Sequence, residues 1–166
     1  MADRPRMPPT QLPEREMLVA WVEFHRATLL WKCQGLTDAQ LKLRSVPPST
    51  MSLLGLVRHC TEVERNWFQR TLQRQPVEPL HYSDADPDGD FDNVDDADVQ
   101  GDFARFHEAC AVARRHTDEA ASLDVTGLRR GDDVTLRWIL THMIEEYARH
   151  NGHADLLREC IDGATG

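Results

Sequence analysis

Residues 136–159, LRWILTHMIEEYARHNGHADLLRE, decide how the whole chain is read. At about 100° per residue, Ile139, Glu146, His150 and Leu157 fall within about 20° of a common direction on a helical wheel. A carboxylate and an imidazole four residues apart therefore stand in the middle of an apolar face, with His142 and His153 at its margins. Glu145, Arg149, Asp155 and Arg158 point elsewhere, as a solvated face should. Burying Glu146 beside His150 is expensive unless something satisfies both groups. A shared metal ion does so, because side chains at i and i+4 project side by side. The alternative is plainer: Glu146 paired with Arg149, and His150 as a hydrogen-bonded core histidine.

Working outward, this helix starts at the Asp132-Asp133 pair and runs to about Ile161, where Gly163 stops it. Three more segments carry helical apolar spacing. The first spans about Glu14 to Cys33, with Leu18, Trp21, Val22, Leu29 and Leu30 on one side, and ends near Gly35. After Pro47-Pro48, Ser49 or Thr50 caps a second helix from about Met51 to Leu72, with Leu53, Leu56, Val63 and Trp67 inward. The third, about Asp102 to Leu123, carries Phe103, Phe106, Cys110 and Ala113. No segment alternates with period two over a useful length, so strands are not expected. The reading is all-α: a four-helix bundle with a long crossover at about 77–100. A length of 166 residues suits one domain, 1–166, with residues 1–12 extended or disordered.

His59, on the second helix, borders the stripe of Leu56, Val63 and Trp67 and is placed to face across the bundle. With Glu146 and His150 it makes a facial set of two nitrogen donors and one carboxylate, acceptable to Zn²⁺, Ni²⁺ or Fe²⁺. His142, His153, Glu62 and His25 are candidates for orienting ligands or moving protons. Each has a simpler reading: packing or surface for His142 and His153, a solvated charge for Glu62, a core histidine for His25. Cys33, Cys60, Cys110 and Cys160 form no CxxC pair, which suits reduced, mostly packed thiols in a cytoplasmic protein and excludes a cysteine zinc knuckle. Cys60 reads as a small core residue rather than a nucleophile.

The net charge of −9 is local. Nine acids and no Lys or Arg lie between Val77 and Gln100, and the remaining 19 acids match the 19 Lys and Arg. Without a basic surplus the chain is a poor candidate for nucleic acid. No run of about 18 apolar residues suggests a membrane span, and the N-terminus lacks a secretory apolar core. Within the acidic stretch, Asp84, Asp86, Asp88, Gly89, Asp92 and Asp95 occupy positions 1, 3, 5, 6, 9 and 12 of an EF-hand loop. Against a Ca²⁺ site stand Pro87 at position 4, Pro79 and the His81-Tyr82-Ser83 turn where an entering helix belongs, and the short Asp95. The plainer reading is a solvated loop tacked down by Phe91 and Val94.

The spacing His142-x3-Glu146-x3-His150-x-Gly152, followed by Leu156-Leu157-Arg158, resembles the last-helix signature of the DinB-like superfamily of metal-binding four-helix bundles. The usual pattern there is H-x3-H-x3-H-x-G-Q, its second and third positions binding metal with a His from the second helix. The resemblance thus implies His59, Glu146 and His150 as ligands, with His142 outside the set. Glu146 at the second position is similar to the mycothiol-dependent maleylpyruvate isomerase branch, and His153 stands where the Gln is usual. RATLLWKCQGL (26–36), MSLLGLVRH (51–59) and VERNWF (63–68) resemble an actinobacterial subgroup assigned as mycothiol S-transferases. That resemblance covers about residues 15–162. It implies a divalent metal that holds the thiolate of mycothiol, or a similar small thiol, for attack on an electrophile. A thiol-dependent isomerase and a non-catalytic metal- or ligand-binding bundle are the alternatives. Exposed apolar residues on the first and third helices leave room for a homodimer.

Overall fold

The computed structural model describes residues 3–165, so positions 1 and 2 of the expected extended N-terminus lie outside it, as does 166. Four long helices form the body: α1 (Glu14–Cys33), α3 (Leu53–Glu64), α5 (Val99–Glu119) and α6 (Leu136–Asp162). Short helices α2 (Asp38–Lys42) and α4 (Gly89–Asp92) interrupt the connections. Helix α3 continues as a π-helical segment, Arg65–Leu72, so the second rod reaches Leu72 as expected but with a wider last turn. Helix α1 packs on α6 and α3 on α5, and α3 also touches α6. Among the described residues, no helix is long and apolar enough to cross a membrane.

The all-α reading holds, with local corrections. Thr126–Arg129 (β1) and Asp132–Thr135 (β2) form an antiparallel hairpin, pairing Thr126 with Thr135 and Arg129 with Asp132. Its two-residue turn, Arg130-Gly131, has φ of 52° and 97°. Positive φ at both turn residues is the geometry that matches strand twist, but Arg at the first is a weak signal for it. Asp132 and Asp133 therefore lie in β2 and do not cap α6. The cap is Thr135, whose Oγ1 accepts from the Trp138 amide. Helix α3 is capped by Ser52 rather than Ser49 or Thr50. Helix α5 begins three residues early behind Asp98 and ends at Glu119, leaving Leu123 buried in the turn that follows. Gly163, in the left-handed region at φ 78°, ends α6 as expected.

The core comprises Leu29, Leu53, Leu56, Phe68, Phe106, Ile139, Met143 and Leu157, among others, all essentially buried. Through it runs a polar tie unannounced by the apolar pattern. Arg26 on α1 donates through Nε and Nη2 to Glu64 on α3 at 2.7 and 2.6 Å, and Tyr147 on α6 donates to Glu64 Oε1 at 2.7 Å. Glu64 is fully buried, so three helices meet at one satisfied carboxylate. A second correction concerns Arg158, expected in the solvated face. It is largely buried and donates to the Lys32 and Gln34 carbonyls, closing the C-terminal end of α1.

Candidate functional site

Helix α6 is continuous from Leu136 to Asp162, so Glu146 and His150 occupy adjacent turns of one face. Both are buried at 9% and 8% exposure, between Ile139 and Leu157. Across the bundle, α3 presents His59. The His59 Nε2 lies 3.1 Å from Glu146 Oε1, and the His150 Nε2 lies 3.3 Å from the same oxygen. The two imidazole centroids are 4.6 Å apart. One ligand atom from each of the three residues falls within 4.8 Å of the others. The three candidate ligands, more than 85 positions apart in sequence at the extremes, therefore converge.

The electrostatics follow from this convergence. Hydrogen bonds to His150 and His59 outweigh burial at Glu146 and hold its carboxyl well below the usual range. Burial works to lower the pKa of His59, but hydrogen bonds to Asp90 and Glu146 more than offset it and push it up to about 9. A positive charge is thus welcome at the centre of the three groups. Arg149 remains exposed, paired with Glu145, and approaches only the outer Glu146 Oε2, at 3.7 Å. Glu146 Oε1 is left facing the two imidazoles.

The surrounding candidates divide. His153 sits beside His150, its Nδ1 3.4 Å from the His150 Nδ1. Burial, with His150 and Arg149 nearby, lowers its pKa. His142 joins an aromatic group at the rim, stacked on Trp138 at 5.1 Å and edge-on to Trp67 at 4.7 Å. It also falls within 4.8 Å of Glu145 and Glu146 in a second, more exposed cluster. His25 is not brought to the three: its Nδ1 and carbonyl meet Asn151 Nδ2, and burial lowers its pKa. Glu62 is no solvated charge. It is buried, and its Oε1 accepts from the Leu80 and His81 amides at 2.5 and 2.6 Å, fastening the crossover to α3.

The residue that the sequence reading missed is Asp90. It lies in α4, inside the acidic stretch, and its Oδ2 is 2.8 Å from the His59 Nδ1, on the side of the ring away from Glu146. Phe91 stacks on the same ring at 4.9 Å and 26°. Its approach needs Gly55, where a Cβ would sit 3.1 Å from Phe91 Cδ1. Phe91 and the fully buried Val94 do pin the loop, as expected. In composition Asp90 is one acid among nine, and Asp92 flanks Phe91 just as closely. The EF-hand pattern has no counterpart in space. Asp86 accepts from Asn93, Asp95 pairs with Arg44, and neither three-residue cluster of metal-ligating side chains among the described residues draws on 84–95.

Beside His59 a cleft of about 200 Å³ opens between α3, its π-helical extension and the crossover, lined by Glu62, Val63, Asn66, Tyr82 and Pro87. Cys60, one residue on, faces the core. Burial, with Glu64 and Glu146 nearby, pushes its thiol well above the usual range, so it does not offer a thiolate.

The model of one protein family, described as mycothiol-S-transferase, matches residues 17–163. The chain belongs to that family. The match takes in α3, α5 and α6, all but the first three residues of α1, the crossover and the three converging residues. Comparison with curated protein sequences returned no match. As a member of the mycothiol S-transferase family the chain has a small-molecule thiol as its expected partner, in line with the resemblance carried by residues 26–36, 51–59 and 63–68.

Proposed function

We propose that this chain is a metal-dependent S-transferase that joins mycothiol, or a closely similar small thiol, to an electrophile. The observation that carries the reading is the convergence of His59 Nε2, His150 Nε2 and Glu146 Oε1 beside an open cleft. The donor set fits a divalent ion: two imidazole nitrogens and one carboxylate oxygen, with no lysine or arginine inserted between them. A divalent metal held there supplies a Lewis acid that favours the thiolate form of a thiol bound to it.

The chain's own residues do the rest. Glu146 keeps a negative charge between the imidazoles at any ordinary pH. Burial holds Cys33, Cys60 and Cys110 protonated, so none of these three offers the attacking sulfur, a role that falls to the small-molecule thiol in this reading. Asn66 and Tyr82 offer polar groups along the cleft wall for the body of that thiol. Trp138, half exposed and stacked on His142, offers an apolar shelf at the rim for the electrophile.

The test combines elemental analysis with a conjugation assay. Purified protein is expected to carry one divalent metal per chain and to conjugate mycothiol to monochlorobimane. His59→Ala and His150→Ala are expected to lose both. Metal without turnover would leave a non-catalytic metal-binding bundle. Absence of metal, with activity unchanged in both variants, would overturn the metal centre.

A further inference from the structure

We propose that the acidic crossover is the outer wall of the metal centre, with Asp90 as the positioning residue for His59. The inference rests on the metal reading above and adds a residue to which that reading gives no role.

An imidazole bound to a metal through one nitrogen has its orientation and tautomer fixed by whatever holds the other. His59 meets that condition from two directions. Asp90 Oδ2, on a side chain only 6% exposed, takes the Nδ1 hydrogen at 2.8 Å, leaving the Nε2 lone pair aimed at Glu146 and His150. Phe91 lies flat on the ring face and prevents it from tilting. Both come from one short helical turn, Gly89–Asp92.

That turn is itself fastened to the helix it serves. Arg58, the residue before His59, donates to the Asp90 carbonyl and the Gly89 carbonyl, both at 3.1 Å. Its third contact is Asp102 at 3.2 Å, which ties the turn to α5. One turn along, Glu62 holds the amides of Leu80 and His81. Residues 58, 59 and 62 of a single helix thus grip the crossover at its carbonyls, at a carboxylate and at its amides. Arg44 touches the crossover at its exposed edge, through Asp95 and the carbonyl of Asp92 at the end of the turn, rather than through Asp90 or Phe91.

The test is titration of the metal-free full chain with Co²⁺, following affinity and the visible absorption band of the bound ion. Asp90→Asn, which keeps the shape but weakens the acceptor, is expected to lose roughly 10- to 100-fold in Co²⁺ affinity, the usual range for such partners. Its absorption band is expected to shift as His59 turns. Asp90→Glu, should the Asn variant not fold, is expected to bind weakly with a displaced band, since the longer arm moves the ring. Arg44→Ala loosens the crossover elsewhere and is expected to leave both readouts at wild-type values. Wild-type affinity and spectrum in the Asp90 variants would overturn the inference and leave the metal reading intact. An equal loss in Arg44→Ala would overturn it too, by showing only general loop dependence. Failure of the wild-type chain to bind Co²⁺ would overturn the metal reading and this inference together.

Discussion

Helix α6 and the acidic crossover contribute to the same small volume in opposite ways. Helix α6 supplies Glu146 and His150 through a regular backbone, where spacing alone dictates that two side chains share a face. The crossover supplies Asp90 and Phe91 through a four-residue turn whose position depends on buried tethers from α3, Arg58 and Glu62. Regular structure places chemistry by periodicity, whereas irregular structure places it by what holds it. The first can be altered one residue at a time. The second fails through its anchors.

The largest effect separating the two regions is expected on α6. His150→Ala should remove a metal ligand outright and lower metal affinity by more than the roughly 10- to 100-fold assigned to outer partners. The stoichiometry of bound metal after dialysis checks it. If His150→Ala and Asp90→Asn proved equally damaging, the distinction between ligand and outer wall would collapse.

Next is the anchor. Arg58→Met keeps the apolar stem but strips the guanidinium from two backbone carbonyls and from Asp102, which is only 2% exposed. Arg105 still reaches Asp102 at 2.9 Å, so the carboxylate is not wholly abandoned. Loss of a buried charged partner costs about 3–5 kcal/mol, or roughly 10 °C in Tm for a chain of this size. Thermal unfolding followed by circular dichroism measures it. A drop of only a degree or two would mean that the crossover holds its place without Arg58.

A smaller effect is expected within the turn. At Gly89 a Cβ would sit 2.7 Å from the His81 carbonyl oxygen and 2.7 Å from Asp86 Oδ2. The first neighbour is backbone and yields only if the crossover shifts. Gly89→Ala is expected to cost about 1–3 kcal/mol, as overpacking does, and to weaken metal binding along with stability. Both are read from Tm and Co²⁺ titration. Lost stability at unchanged affinity would separate the fold of the turn from its hold on His59.

These contrasts explain what was legible in the sequence. The bundle was readable because Ile139, Glu146, His150 and Leu157 obey one period, and because Gly163 and the proline pair punctuate the chain. The convergence of His59 was readable as a face, although its partner on the other side was not. Asp90 was hidden since nothing local distinguishes it from Asp88 or Asp92. Its role arises from Arg58 and Gly55, more than thirty residues earlier. The hairpin escaped for a related reason: four-residue strands carry too little alternation, and Arg130 conceals a turn with positive φ. The EF-hand pattern illustrates the opposite case. It matched residue types in order, while the backbone turned Asp86 toward Asn93 and Asp95 toward Arg44.

Acid exposes the crossover's dependence on burial. The His81 side chain is 5% exposed and lies near Arg58, and burial together with that positive charge lowers its pKa to about 4. In the unfolded chain the same histidine titrates near about 6.5. Between those values the unfolded state binds a proton that the folded state refuses, so stability falls as pH drops from about 6.5 toward 4. The slope from this one residue is at most on the order of 1 kcal/mol per pH unit. Comparing Tm against pH for wild type and His81→Leu isolates it, since the substitution should flatten the curve over that window. Identical slopes would show that His81 takes up its proton in the folded chain without penalty.

The smallest effect is expected at the exposed edge of the crossover, where the acids are most numerous. Arg44 meets Asp95 at 2.8 Å, but the two side chains are 31% and 73% exposed. Surface pairs of this kind contribute about 0–1 kcal/mol. Arg44→Ala should therefore change Tm by no more than a few degrees, and adding millimolar Ca²⁺ should change it no further. The acids that might have formed a calcium loop are already committed to Asn93 and Arg44 or turned to solvent. A rise in Tm with Ca²⁺ that Asp84→Ala abolishes would break this account. It would mean that the crossover can regroup its carboxylates around a cation, and that its grip on His59 through Asp90 would be open to control by that cation.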